Sequence, residues 1–148
     1  MSETQPRLFV ATAYNLHRTP VSGEISDAYR DHNEKMLEDL TSHGFSVYNT
    51  LHEYNYELAD GNSEIDLRET GEIKTCDAYL EIMDARGSRG NGINLGGALA
   101  LGKIVILAHT PEAPLKGREK AMVENGRAHE LEAATPLNCA RIHEIVDA

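Results

Sequence analysis

The sequence predicts a single α/β domain whose core is an open, mostly parallel sheet of four to five strands with helices on both faces. Short apolar segments alternate with helical patterns along the chain, which is the arrangement of strands joined by crossover helices. The apolar segment at 104–108 is continuous and β-branched, as is typical of a strand buried on both faces. With 148 residues and 41% hydrophobic content, the chain can bury one core, so we expect one domain over residues 1–148.

Apolar runs bounded by turn-forming residues place the strands. The predicted strands cover residues 8–11, 45–48, 78–83 and 104–108, with a short fifth strand at 128–131. The stretch at 51–62 is polar and rich in tyrosine, and it ends in an Asp-Gly-Asn sequence, so we predict a loop there.

Helical spacing of apolar residues and capping signals place four helices. They are predicted to begin near residues 25, 63, 93 and 136. Ser22 or Ser26 would cap the first helix, and Gly44 would end it. Thr135 and Pro136 would be the N-cap and the first residue of the last helix.

Charge and hydropathy restrict the partners. The formal net charge of −10 disfavours a nucleic-acid polymer, because binding a phosphate backbone needs clustered Lys and Arg. A single nucleotide is still compatible with this charge, since one small anion needs only a local pocket. No apolar run is long enough to cross a bilayer and residues 1–7 do not resemble a signal peptide, so we expect a cytoplasmic protein with no membrane association.

Cofactor chemistry has little support in the sequence. Cys76 and Cys139 lie far apart with no CxxC motif or Cys/His cluster around them, and the histidines show no metal-ligand spacing. We therefore expect neither a disulfide framework nor a metal, and no organic cofactor.

A glycine-rich segment at 84–97 follows the third predicted strand and leads into a helix. Ligands of open parallel sheets bind at the carboxyl ends of the strands, glycines permit close backbone approach, and a helix N-terminus attracts an anion. The spacing of Gly90, Gly92 and Gly96 departs from the dinucleotide fingerprint, and no GxxxxGK[ST] motif occurs. The segment thus predicts an anion-binding turn, but neither an NAD site nor a P-loop.

Three segments carry a specific resemblance: Ile65-Asp66-Leu67, Cys76-Asp77-Ala78-Tyr79-Leu80, and SRGNGINLGGALALGK at 88–103. With them, the sequence resembles the nucleoside 2-deoxyribosyltransferase family, including its nucleotide N-hydrolase branch, over most of residues 8–125. The resemblance implies a flavodoxin-like or Rossmann-like fold. It also implies a nucleoside or nucleoside 5′-monophosphate ligand, with cleavage or transfer at the N-glycosidic bond.

The same resemblance implies roles for individual residues. Tyr14 would line the sugar pocket, and Asp66 would hold the sugar and the catalytic carboxylate in place. Ser88 and the backbone amides of Gly90 and Gly92 would receive the 5′ end of the ligand.

It also implies a shared site. Members are often dimers that borrow a residue from the partner near the segment around Lys120, whose charge would suit a phosphate. We therefore expect a homodimer or a higher homo-oligomer.

One departure from the family concerns catalysis. Family enzymes have a nucleophilic glutamate where this chain has Asn94, and a neutral amide is a poor nucleophile. Three hypotheses follow: a catalytically silent nucleotide-binding or sensing module, recruitment of another carboxylate, or direct activation of water.

Several acidic residues are candidates for the substitute carboxylate. Asp66, Asp84 and Glu53 are each predicted near the carboxyl edge of the sheet; Asp66 is the first choice, although it equally fits a capping box. Glu81, inside the third strand, would point by alternation into a helix layer or into the site. His52 and Glu53 could act as acid and base on the leaving nucleobase.

Overall fold

The computed structural model of the chain describes residues 5–12, 25–57, 63–83, 89–132 and 137–148, with the backbone alone at 89–92. Five parallel strands form one sheet in the order β2-β1-β3-β4-β5. They are β1 (Arg7–Thr12), β2 (Ser46–Tyr48), β3 (Ala78–Met83), β4 (Ile104–His109) and β5 (His129–Glu132). The predicted α/β fold class is confirmed.

Six helices connect or follow these strands in the described part of the chain. They are α1 (Asp27–Ser42), α2 (Thr50–Glu53), α3 (Ser63–Thr75), α4 (Arg89–Ala100), α5 (Gly117–Glu124) and α6 (Cys139–Asp147). Among the described residues, no helix combines the length and the apolar character that a membrane span requires.

Alternation along the strands divides the core between the two faces of the sheet. On one face, Leu8 and Leu80 pack with Leu40 of α1 and Ile142 of α6. On the other face, the apolar core contains residues of β1, β3 and β4 together with residues of α3, α4 and α5: Phe9, Tyr79, Val105, Ile73, Leu95, Ala98 and Met122. The helices therefore cover both faces, as predicted.

The limits of α1 follow local capping chemistry. The hydroxyl of Ser26 accepts a hydrogen bond from the backbone N–H of Tyr29, which makes Ser26 the N-cap in preference to Ser22. Gly44, with φ of +91°, adopts the left-handed conformation that ends the helix.

Three predicted boundaries of the secondary structure need correction, and one helix was missed. The predicted loop at 51–62 is wrong at its start, because the side chain of Asn49 caps the single-turn helix α2. The last helix begins at Cys139 with Asn138 as its N-cap, so Thr135 and Pro136, which lie outside the described residues, do not begin it. Helix α5 was not predicted.

Helix α4 begins earlier than its apolar pattern indicates. The prediction placed the start near residue 93, but the helix begins at Arg89. Gly90 therefore lies in the first turn, where backbone N–H groups have no partner within the helix, and Gly92 lies at the end of that turn.

Candidate functional site

Three helices meet beside the carboxyl ends of β2 and β3. Thr50 begins α2 directly after β2, Asn94 lies in the first half of α4, which follows β3, and α3 packs against α4. Glu69 of α3 joins them: its Oε2 accepts hydrogen bonds from Thr50 Oγ1 at 2.8 Å and from Asn94 Nδ2 at 3.0 Å. Together with Tyr48, the last residue of β2, these residues form what we call the carboxylate cluster.

The environment of the Glu69 carboxylate is mixed. Glu69 is half-buried, and this burial raises its pKa above the ordinary value of 4.5. The hydrogen bonds from Thr50 and Asn94 oppose that effect because they stabilise the charged form, and the negative charge of Asp66 raises the pKa further. Glu69 is thus a fixed carboxylate with an electrostatically unfavourable charge.

Tyr48 supplies a buried polar group to the same cluster. Its side chain is 3% exposed, and its hydroxyl has no hydrogen-bond partner of good geometry within the described residues. Burial raises the pKa of Tyr48 to about 12, and the nearby Thr50 hydroxyl, which already donates to Glu69, opposes the shift only in part. The Tyr48 hydroxyl is therefore neutral and can donate.

A buried polar network fixes the position of Thr50. Asn49 Nδ2 donates to Val10 O at 2.8 Å and to Thr12 Oγ1 at 3.0 Å, which ties the start of α2 to the carboxyl end of β1. Asn33 of α1 donates to Asn49 Oδ1 at 3.0 Å. The start of α2 therefore has little freedom to move relative to the sheet.

His52 and Glu53 lie on α2 but are not part of the carboxylate cluster. His52 Nδ1 lies 2.9 Å from the Glu34 carboxylate, and Glu53 Oε1 lies 3.2 Å from Arg68 Nη2. Both side chains are exposed. Neither forms a hydrogen bond or an ion pair with Glu69, so the structure does not bring them together with the half-buried carboxylate.

Of the other predicted site residues, only Asn94 belongs to the carboxylate cluster among those that the structure describes. Asp66 is exposed on α3, three residues before Glu69 and so on the same side of that helix. Asn94 is half-buried within the cluster, and Lys120 is exposed on α5. Three residues lie outside the described residues, and their roles stay predictions: Tyr14, Asp84 and Ser88.

Sequence reasoning did not identify Glu69 as a site residue. Its carboxylate becomes informative once α2, α3 and α4 are placed side by side, because its partners are 19 and 25 residues away. One signal was available: a spacing of three from Asp66 puts both acids on neighbouring positions of one helix face.

A fully buried carboxyl group, that of Glu81, lies on the face of the sheet that α3, α4 and α5 cover. Glu81 of β3 is 4% exposed, and its Oε1 accepts a hydrogen bond from Tyr79 Oη at 2.7 Å. Burial raises the pKa of Glu81 to about 7; the hydrogen bond lowers it, and the charge of Glu119 on α5 raises it. Alternation along β3 directs Glu81, like Tyr79, toward the layer formed by α3, α4 and α5. This is one of the two predicted directions.

No family model and no curated protein sequence matches the chain. Several solved structures share its fold. The CMP N-glycosidase BcmB of Clostridium botulinum has a TM-score of 0.62 at 17% identity, covering 93% of this chain and 98% of that one. BlsM has a TM-score of 0.70 at 18% identity, covering 97% and 93%. A 2-deoxyribosyltransferase of Bacillus psychrosaccharolyticus has a TM-score of 0.60 at 17% identity, covering 86% of each chain.

Proposed function

We propose that this chain binds a nucleoside or a nucleoside 5′-monophosphate and cleaves or transfers at its N-glycosidic bond. The observation that carries the proposal is the half-buried Glu69 carboxylate, which Thr50 and Asn94 hold beside the carboxyl ends of β2 and β3. The fold likeness to a CMP N-glycosidase and to a 2-deoxyribosyltransferase supports the same chemistry.

The reaction explains why a carboxylate is needed there. As the base departs, positive charge develops on the anomeric carbon C1′ and the ring oxygen, and a fixed negative group beside them lowers the barrier. A carboxylate that is already oriented by two donors needs little rearrangement during this step.

Binding of the 5′ end would use the start of α4. The amides of Gly90 and Gly92 belong to its first turn, and the helix N-terminus favours an anion such as a phosphate. We assign Ser88 to the same anion site and Tyr14 to the sugar pocket. Lys120, exposed on α5, would contribute from a second copy in a homodimer or larger homo-oligomer.

A second candidate function is a catalytically silent nucleotide-binding module. The amide at position 94 favours it, since Asn94 itself cannot attack a sugar. In that case Glu69 and Asn94 would serve to join α3 to α4, and the ligand would leave unchanged.

A panel of ribonucleosides, 2′-deoxyribonucleosides and their 5′-monophosphates separates the two candidates. Each compound is incubated with the purified protein and analysed by chromatography for free base, and binding is measured in parallel by calorimetry. We expect at least one compound both to bind and to release its base in proportion to protein concentration. Binding with no base release favours the silent module, and neither binding nor release overturns both candidates.

A further inference from the structure

The two oxygens of Glu69 have different surroundings. Oε2 receives both hydrogen bonds, from Thr50 and Asn94, while no described residue donates to Oε1. Glu69 is only half-buried, and among the described residues Oε1 is not one of the buried polar atoms that lack a partner, so burial alone does not require a second donor there. Oε2 is thus held in place, whereas Oε1 has no donor among the described residues and can serve as the reacting atom.

Within the described part of the chain, Glu69 is held by neutral donors and not by a cation. The neighbouring Arg68 is engaged elsewhere, with Nε 3.0 Å from Glu72 and Nη2 3.2 Å from Glu53. Asp66, which acts on Glu69 electrostatically, also carries a negative charge. The negative charge of Glu69 is therefore not neutralised by a described ion pair and is available to a developing cation.

The hydroxyl of Tyr48 adds a second indication of a ligand. It is buried, without a well-aligned partner among the described residues, and close enough to Glu69 for the carboxylate charge to raise its pKa. A buried donor left unsatisfied destabilises the folded protein. A sugar hydroxyl between Tyr48 and Glu69 would satisfy it.

Within the proposed N-glycosidic chemistry, on which this assignment rests, we propose that Glu69 is the nucleophile, with Thr50 and Asn94 as positioning residues. Oε1 attacks C1′ and forms a glycosyl ester while the bond from C1′ to the base nitrogen breaks. The base keeps the electron pair of that bond and takes a proton from water, which leaves hydroxide. Hydroxide then attacks C1′, releasing the sugar and the Glu69 carboxylate; a second base can replace hydroxide, which gives transfer.

Glu69→Gln tests this role because it keeps the size of the side chain and the oxygen that Thr50 and Asn94 bond. With cytidine 5′-monophosphate and 2′-deoxycytidine 5′-monophosphate as first probes and the full panel behind them, we expect base release to fall at least about 10³-fold. We expect affinity by calorimetry to change less than about threefold. Glu38→Gln, at an exposed glutamate of α1 on the opposite face of the sheet, is the matched control and should behave as wild type.

Adduct mapping on the unaltered protein decides the same point even if the Glu69→Gln variant fails to fold. Reactions are quenched in acid and digested, and we expect the mass of the glycosyl group on the peptide that contains Glu69. Base release with no adduct at Glu69, or with the adduct on another residue, overturns the assignment. Wild-type turnover that survives Glu69→Gln within tenfold overturns the role of Glu69 alone, whereas an inactive wild type overturns the proposed function as well.

Discussion

Replacing Glu81 by glutamine should make the protein more stable at alkaline pH. The pKa of Glu81 is raised by burial from 4.5 to about 7, so the folded state disfavours the charged form that the unfolded state accepts. At roughly 1.36 kcal/mol per pKa unit, ionisation lowers the free energy of unfolding by about 3 kcal/mol. The protonated Glu81 therefore stabilises the folded protein: this contribution is fully present below pH 4.5 and is lost as pH rises through 7.

Urea titrations between pH 4 and pH 8, followed by circular dichroism because the chain has no tryptophan, measure this effect. The amide of the variant can still accept the hydrogen bond of Tyr79. We therefore expect wild type and variant to have similar free energies of unfolding near pH 4, and the variant to be more stable by about 3 kcal/mol at pH 8. Glu38→Gln, at an exposed glutamate of α1, is the control for the loss of a surface carboxylate. If the free energies of unfolding of wild type and Glu81→Gln differed by the same amount at every pH, the reasoning would be refuted, because Glu81 would then ionise equally easily in the folded and unfolded states.

Three further predictions concern the ligand site. Gly90→Val should weaken binding of a nucleoside 5′-monophosphate by about tenfold or more in calorimetry, while Asn91→Ala should change the affinity less than about twofold. Equal effects of the two changes would argue against an anion site built from backbone amides at the start of α4. Asn94→Glu places a second carboxylate within hydrogen-bond distance of Glu69, and two adjacent carboxylates disfavour each other's charged form. Base release at pH 8 should therefore fall at least about tenfold, and faster release would contradict the role given to Glu69. Light scattering should show a dimer or larger assembly, and a monomer with full ligand affinity would remove Lys120 from the site.

The sheet could be predicted from the sequence because its signals are local. Continuous apolar runs mark the central strands, as at 104–108, where a buried parallel strand has no polar face to confuse the pattern. Gly44 ended α1 as predicted, because a left-handed C-terminal residue requires its conformational freedom. The start of α4 was misplaced because Gly90 and Gly92 have low helix propensity, and the structure overrides it.

The site was less predictable because it depends on contacts between distant segments. Asp66 was preferred for its predicted place near the carboxyl edge of the sheet, although it equally fitted a capping box. The half-buried carboxylate is instead Glu69, one turn further along α3. Asn94 was recognised as the position where an amide replaces a carboxylate, but not as a donor to another carboxylate. That relation follows from the packing of α3 on α4, which the helical patterns alone do not specify.

Stereochemistry at C1′ tests the central claim most directly. The protein is incubated with its substrate in a mixture of water and methanol, and the methyl glycoside, which unlike the free sugar keeps its configuration at C1′ in neutral solution, is examined by proton NMR. Attack by Glu69 followed by attack of methanol inverts C1′ twice, so the account predicts a methyl glycoside with the configuration of the starting nucleoside. An inverted or mixed product would contradict a covalent intermediate at Glu69, and a bound substrate that releases neither base nor glycoside would contradict cleavage itself.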